Sequence, residues 1–367
     1  MKIAVYGASG YQGKLVAAEL ARRNVATVLV GRSMGRLRSA AAASGADGDR
    51  AVTTSRAAAS GGGPELREAS LDDIPALAET LRGCDAVINC AGPFTLSGDA
   101  VIRGAVAAGC HYVDTAGEQL YIKGVLDAFG PEAGVTIVPA ATDGAVPGDL
   151  AAHLLAERIG PIEEITVAHE IVGGGGVSRG SLRSLLATAQ TMRSGGLTYE
   201  DGSWPADGAI RRASMTFPGA TEPTGVVKFA LAEVVTIPRH VTVRRVEAVA
   251  DAALGARLRA LGPELLEQIP EGPDEDSRRG QRFTIVVDAV GLDGQPARAV
   301  VRGTDTYGTT AVIAVEAARR LASGGTAPGA LAPAQAFDPS GFLGFLAACG
   351  VTWELTSAEA SQGAAAG

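Results

Sequence analysis

Lysine is nearly absent from this chain, aromatic residues make up only 4% of it, and cysteine occurs four times in 367 residues. Cys84, Cys90, Cys110 and Cys349 show no C-x-x-C spacing, which excludes a disulfide framework and a dithiol redox motif. They read as reduced core thiols of a cytoplasmic protein. No apolar run approaches the roughly 18 residues a membrane helix needs. The opening Met1-Lys2-Ile3-Ala4-Val5 runs straight into glycines and leaves no room for a signal-peptide core. A net charge of -8 disfavours nucleic acid and anionic membrane surfaces as partners. His153 and His240 lack metal-ligand neighbours in sequence, so no zinc or iron site is expected.

Glycine, by contrast, is abundant, with 49 residues. Some fall at defined turns. Others form the stretches Ser60-Gly61-Gly62-Gly63-Pro64 and Ala360-Ser361-Gln362-Gly363, which are expected to be mobile.

The first 150 residues alternate short apolar strands with amphipathic helices. Strands are expected at Lys2–Tyr6, Ala26–Val30, Ala86–Cys90, His111–Asp114 and Val135–Pro139. Helical spacing fills Gly13–Arg23, Ser33–Ala43, Ile74–Leu81, Ala100–Ala108 and Gln119–Phe129. Such alternation predicts an α/β domain, a doubly wound parallel Rossmann sheet over residues 1–150 that binds a dinucleotide. Beyond Leu150 the rhythm changes. Strands are expected at Glu164–Glu170, Ser214–Phe217, Val234–Ile237, Val241–Val246, Phe283–Val290 and Ala297–Arg302, the last two joined by a turn at Leu292-Asp293-Gly294-Gln295. A helix is expected over Gly180–Met192. Residues 151–308 therefore read as a second α/β domain with a mostly antiparallel sheet, for substrate and dimerisation. The helix 309–322 is expected to return to the first domain, followed by a carboxyl-terminal segment, 323–367, with a mobile tail. Two domains with a cleft between them is the expected architecture. A homodimer through the second domain's strands is expected.

Three motifs carry chemistry. Gly7-Ala8-Ser9-Gly10-Tyr11-Gln12-Gly13 sits between the first strand and the first helix. Gly7 permits the tight turn, Gly10 lets backbone approach a pyrophosphate, and Gly13 lets helix pack on strand. The helix start then offers oriented N–H groups to phosphate. The second strand ends in Gly31-Arg32-Ser33, where an NAD site would place an acid for the ribose hydroxyls. A guanidinium and a hydroxyl suit the 2′-phosphate of NADP instead. Cys90-Ala91-Gly92-Pro93-Phe94 ends the next strand at the carboxyl edge of the sheet and could lie against the nicotinamide ribose. Cys90 itself reads as a core thiol rather than a nucleophile.

These segments, with His111-Tyr112-Val113-Asp114-Thr115-Ala116-Gly117-Glu118, resemble the saccharopine dehydrogenase-like oxidoreductases. Ala141-Thr142-Asp143-Gly144-Ala145-Val146-Pro147-Gly148-Asp149 is similar to that family's G-F-D-S-V-P-S-D segment, departing at the first two positions and at Gly148. The likeness covers roughly the first 155 residues well and is looser through Gly173–Leu186 and Asp305-Thr306-Tyr307-Gly308. It implies the fold and an NADP cofactor. The family includes saccharopine reductases and trans-acting enoyl reductases serving polyketide assembly, so it implies little about substrate.

Asp114, Glu118 and Asp143 fall at or just beyond carboxyl ends of expected strands. A carboxylate there either orients an ammonium group, relays a proton or contacts ribose, or it caps the helix that follows. Gly173–Ser181 reads either as a loop for a substrate anion or carbonyl, through Ser178, Arg179 and Ser181, or as a crossover with a serine cap. His169 and Glu170 lie on opposite faces of their strand. No Y-x-x-x-K, G-x-S-x-G or G-K-[ST] motif is present, which removes the short-chain dehydrogenase, common hydrolase and phosphate-loop readings. The chain is thus expected to be an NADP(H)-dependent oxidoreductase acting on a small molecule in the cleft. An imine is the preferred acceptor because it needs few dedicated acids. An enoyl C=C bond is the alternative, and a non-catalytic NADP sensor the third reading.

Overall fold

A computed structural model describes residues 1–47 and 63–357. The stretch Ser60–Gly62 and the tail around Ala360–Gly363, both expected to be mobile, lie outside the described residues. The described chain divides into two compact units. Unit 1 comprises Met1–Ala116, Asp127–Ala141 and Thr310–Ala330; unit 2 comprises Gly117–Leu126, Thr142–Thr309 and the segment from Leu331. The sequence reading draws boundaries at residues 150, 308 and 322; in the described chain Thr310–Ala330 belongs to unit 1, and Gly117–Leu126 and Thr142–Leu150 belong to unit 2.

Unit 1 holds a parallel sheet. Its strands are β1 (Lys2–Tyr6), β2 (Ala26–Gly31), β3 (Glu65–Glu68), β4 (Ala86–Asn89), β5 (His111–Asp114) and β6 (Thr136–Val138). Unit 2 follows with β7 (Ile162–Val172), β8 (Tyr199–Glu200), β9 (Ser214–Met215), β10 (Thr224–Lys228), β11 (Val243–Asp251), β12 (Arg282–Gly291) and β13 (Pro296–Thr304). Two late strands, β14 (Gly329–Ala330) and β15 (Thr352–Ser357), return to one sheet each. The first sheet runs β14-β6-β5-β4-β1-β2-β3, the doubly wound order with one added edge strand. Its central strands are fully buried: Ile3, Ala4, Val5, Val87 and Ile88 are inaccessible. That burial on both faces is why they read as continuous apolar runs rather than alternations.

Strand β3, absent from the sequence reading, has the sequence Glu-Leu-Arg-Glu and lies at the sheet edge, where no apolar run is required. The helices of this part are α1 (Tyr11–Arg22), α2 (Met34–Asp47), α3 (Ile74–Leu81), α4 (Phe94–Ala108) and α5 (Gln119–Ala128). Helix α4 starts six residues earlier than expected, directly after a cis Gly92–Pro93 bond.

The second sheet runs β15-β13-β12-β7-β11-β10-β9, with β8 beside β11. All its pairings are antiparallel except β7 with β11. Helix α6 (Val146–Ile159) packs on β12 and β13. Ala168, Met215, Phe217, Val226, Val249 and Val286 form one apolar cluster of this unit. The β12–β13 hairpin closes where expected, with Gly294 at φ +82 and Gly291 N–H donating to the Gln295 carbonyl at 2.8 Å.

Two expectations need correction. Val234–Ile237 is not a strand but part of a short helix, Glu233–Thr236, continued by a turn at Ile237–Arg239. Val234, Val235 and Ile237 are inaccessible, and a short, wholly buried β-branched run carries no period to separate strand from helix. The single helix expected over Gly180–Met192 is two, Arg179–Ala187 and Ala189–Ser194, broken at Thr188, whose hydroxyl donates back to the Ser184 carbonyl at 2.8 Å. Among the described residues no helix is long and apolar enough to cross a membrane.

In unit 1 Arg23, at the end of α1, lies between two buried carboxylates, 2.6 Å from Glu19 and 2.8 Å from Glu316. Burial pushes the Glu19 carboxyl up, but the hydrogen bonds from Arg22 and Arg23 outweigh it and hold it below the usual range. Stability from such a group is present above its unfolded pKa and is lost as pH falls through the lowered folded value. Arg23→Met is expected to cost about 2 kcal/mol at neutral pH. In urea unfolding that penalty should shrink as pH falls through the lowered value of Glu19 and its carboxyl protonates.

Candidate functional site

Tyr6 at the end of β1 pairs with Asn89 on β4 and Val30 on β2, so the Gly7 turn opens where the strand order reverses. In doubly wound sheets that crevice is where ligands lie. Gly7 has φ +79, and a Cβ on it would stand 2.9 Å from the Ala91 nitrogen and Cβ. The glycine turn after β1 and the Ala91 turn after β4 therefore touch backbone to backbone. A Cβ on Gly13 would stand 2.3 Å from the Gly7 carbonyl oxygen, so α1 can pack this close only through glycine. Gly10 is the cap residue of α1 and makes no side-chain cap, its N–H donates to the Gly7 carbonyl at 3.0 Å, and the first turn of the helix contains no acid. Ser9, Gly10, Tyr11 and Gln12 are all partly accessible along this turn. A narrow, side-chain-free cradle at a helix start fits the pyrophosphate of a dinucleotide.

At the end of β2, Arg32 is exposed and Ser33 is followed by α2, whose Arg36 N–H points to the Ser33 hydroxyl at 3.5 Å. The sequence reading misses Glu68, at the end of the polar strand β3. Its carboxylate accepts the Met34 N–H at 2.7 Å and so fastens the start of α2 beside the Arg32 turn. The charge at this corner is thus mixed: Arg32 is exposed, and the Glu68 carboxylate is spent on backbone. After β4, Asn89 Oδ1 accepts the Ala91 N–H at 3.0 Å, and the Ser97 hydroxyl donates to the carbonyls of Pro93 and Ala91. These bonds hold Ala91-Gly92-Pro93 in place, with Gly92 exposed and Phe94 buried at the first position of α4. Burial pushes the Cys90 thiol up to about 12. The side chain is half-buried rather than part of the core, and the raised value disfavours the thiolate a nucleophile would need.

The three strand-end carboxylates part company. Asp114 is inaccessible, and its carboxylate accepts the Tyr112 hydroxyl at 3.0 Å and the amides of Ala116 and Ala140 at 3.0 and 2.8 Å. Tyr112 accepts in turn from Asn89 Nδ2 at 3.1 Å. Asp114 therefore binds the exits of β5 and β6 together. Glu118 and Asp143 belong to unit 2, the first buried and the second half-buried.

Within unit 2, Gly144 follows Asp143 and lies against the His169 ring, its Cβ position 3.6 Å from Cε1 and 3.9 Å from Nδ1. His169 Nε2 is 3.0 Å from Oε1 of Glu233, which is wholly inaccessible. A Cβ on Gly148 would meet that same oxygen at 2.6 Å, so glycine at the position departing from the G-F-D-S-V-P-S-D pattern makes room for the glutamate. Asp149, also inaccessible, accepts the Ala334 N–H at 2.9 Å and sits 2.8 Å from His240 Nε2; His240 faces His153 at 3.1 Å. The sequence reading names the histidines singly and misses Glu233 altogether, because a carboxylate inside an apolar run was assigned to no strand face. Ser178 is a helix cap, accepting the Ser181 N–H at 3.0 Å, while the Tyr307 hydroxyl accepts the Ser178 N–H at 2.7 Å. Arg179 donates to the Ile269 carbonyl at 2.8 Å. Of the two readings of Gly173–Ser181, the serine cap is the arrangement found.

Replacing Asp114 by alanine leaves two buried amides and a phenol without their acceptor. Asp114→Ala is expected to lower unfolding free energy by about 3 kcal/mol or more, and Asp114→Asn by less, since the amide oxygen still accepts. Urea denaturation of both variants checks this.

Residues 3–138 match the family profile of the saccharopine dehydrogenase NADP-binding domain. A candidate trans-acting enoyl reductase of Mycobacterium tuberculosis is 31% identical over 198 residues, covering 52% of this chain and 44% of that protein. A lipid droplet localized protein of Caenorhabditis elegans is 29% identical over 164 residues, covering 42% and 35%. The chain thus spans less than half the length of these curated relatives. Among solved structures, the saccharopine dehydrogenase (L-Glu forming) of Saccharomyces cerevisiae aligns over 97% of this chain and 99% of its own, with TM-score 0.60 and 14% identity. The parallel sheet with its glycine cradle lies within residues 3–138, which are similar to a saccharopine dehydrogenase NADP-binding domain, and the two sheets together have the fold of the yeast structure.

Proposed function

We propose that this protein is an NADP(H)-dependent oxidoreductase that reduces an unsaturated bond of a small molecule. The observation that carries the reading is the cradle of Gly7, Gly10 and Gly13 against Ala91 at the reversal of strand order, with no acid in the first turn of α1 and an exposed Arg32 after β2. NADPH, when bound, supplies a hydride from its nicotinamide ring. The protein's share is to hold the pyrophosphate on the α1 start, to offer Arg32 and Ser33 to the 2′-phosphate, and to keep the Ala91-Gly92-Pro93 turn clear of side chains.

For the bond reduced, two readings stand. The imine reading rests on a carboxylate that would stabilise a positive iminium. Three hydrogen bonds already engage Asp114, which leaves Glu118 and Asp143 to support that reading. The enoyl reading requires groups that tolerate or neutralise negative charge on the carbonyl oxygen, and the engaged Asp114 no longer opposes it. Relatives named as trans-acting enoyl reductases add weight on the same side. We therefore take reduction of an enoyl C=C bond as the leading reading and an imine as the second.

NADPH is expected to bind at least about tenfold more tightly than NADH, and Arg32→Ala should shrink that gap by weakening NADPH alone. Fluorescence titration of both cofactors measures it, and equal affinities in the unaltered protein would remove the claim. Gly10→Val should abolish stabilisation by NADPH in thermal melts while the apoprotein keeps its fold. NADPH oxidation against a panel of enoyl thioesters and amine–carbonyl pairs, repeated with Glu118→Gln and Asp143→Asn, separates the two bond types. Turnover of enoyl thioesters that neither change affects is the expected result, and turnover of imines alone would reverse the order of the readings.

A further inference from the structure

The end of β2 offered to the 2′-phosphate has a charged neighbour that the cofactor reading does not use. β2 and β3 run parallel with Gly31 opposite Glu68, so Arg32 and Ser33 leave the sheet beside the residue that ends β3. Helix α2 starts at once, and the first amides of any helix lack partners within it. Here Met34 N–H donates to Glu68 Oε2 at 2.7 Å, while Arg36 N–H is 3.5 Å from the Ser33 hydroxyl. The first turn of α2 holds no acid of its own. The negative charge that answers the positive end of this helix therefore comes from another strand. Gly35 is exposed, and a Cβ on it would find nothing nearer than the Ser33 hydroxyl at 4.0 Å.

The other acids that follow β3 have separate attachments. Asp72 accepts the Ser70 hydroxyl at 3.1 Å, and Asp73 caps α3 by accepting the Ala76 N–H at 2.9 Å. Burial pushes the Tyr6 phenol up, the Arg32 guanidinium pulls it back, and the Asp72 carboxylate adds to the rise. Arg32 and Asp72 thus both act at the end of β1, where the glycine turn opens. Arg36 is exposed, as are Arg32 and Glu68. A phosphate dianion placed here would draw on Arg32, Arg36, the Ser33 hydroxyl and the amides of the α2 start. Glu68 already takes one of those amides. To a second anion its carboxylate is a competitor and a repelling charge, whereas to a ribose hydroxyl it is an acceptor.

We propose that Glu68 is a specificity-determining residue of the cofactor site, competing with the 2′-phosphate for the Met34 amide and so holding down the preference for NADPH over NADH. The inference rests on the NADP reading given above, and every residue it uses belongs to unit 1. Arg32 and Glu68 then act in opposition: the guanidinium raises the preference and the carboxylate lowers it. Both groups are exposed, so salt screens their action. Competition also means that the Met34 amide changes partner, from carboxylate to phosphate, when a 2′-phosphate binds.

Glu68→Gln tests this, because its amide oxygen still accepts the Met34 N–H while the charge is gone. In fluorescence titrations at low salt it should bind NADPH about three- to tenfold more tightly than the unaltered protein, and the gain should shrink at high salt. NADH affinity should stay the same or fall. Adenosine 2′,5′-bisphosphate and 5′-AMP, which report on this corner without a nicotinamide, should reproduce the split, with a gain for the bisphosphate alone. Methionine-labelled nitrogen NMR of the unaltered full chain, with Met34 assigned through Met34→Leu, should show its amide signal moving with the bisphosphate and not with 5′-AMP. An unchanged NADPH-to-NADH ratio in Glu68→Gln, or a Met34 amide indifferent to the bisphosphate, overturns the proposal. A role confined to fastening α2 would show itself in that way, with both cofactors weakened in Glu68→Ala. If the unaltered protein binds neither NADPH nor the bisphosphate, the NADP reading falls and the role of Glu68 with it. If it binds both and the ratio does not move, only the role of Glu68 falls.

Discussion

The contact on which most of unit 1 depends is the one that admits no side chain: Gly13 over the Gly7 carbonyl and Gly7 against Ala91. It sets how near α1 comes to the sheet and how near the turns after β1 and β4 come to each other. One added methyl at Gly13 would force α1 outward by more than an ångström to reach ordinary van der Waals distance. The opening at the end of the sheet would change shape with it. The doubly wound sheet determines where the crevice is, and these glycines determine that backbone rather than side chains forms its wall.

Much of this was legible from the chain because it is local. Lys2–Tyr6 is the strand expected, and the G-x-x-G-x-x-G turn lies between it and a helix as its spacing requires. What escaped is long-range or context-bound. Glu65–Glu68 pairs with β2 only because it sits at an edge, where its polar side chains remain in solvent. Val234–Ile237 has the composition of a strand and the burial of a core segment, and the structure makes it a turn of helix. Asp114 could equally have faced a ligand or backbone; its three acceptor bonds become visible only when the exits of β5 and β6 are brought together. The likeness to the saccharopine dehydrogenases was readable from motifs of the same local kind.

The pair in unit 2 was the least legible of all. His169 and Glu233 lie on elements of different type, a strand and a short helix, and no spacing rule connects them. Gly144 and Gly148 gave the only local trace, two glycines in one motif. Their meaning is steric: one borders the imidazole and the other clears the carboxyl. A departure from a family pattern can thus mark a compensating residue far away in sequence, here a buried acid that a serine would crowd.

The strand β14 and the last part of the helix Thr306–Ala322 complete unit 1 from about 170 to 190 residues beyond β6. Its outer edge stays unpaired until Gly329 and Ala330 arrive beside Thr136 and Ile137. A nascent chain leaving the ribosome would therefore have this sheet unfinished until about 190 residues beyond β6 had emerged. Such high contact order slows folding and leaves a β6 edge open to misassembly in the interval. The same topology means that the sheet cannot be excised as one contiguous fragment.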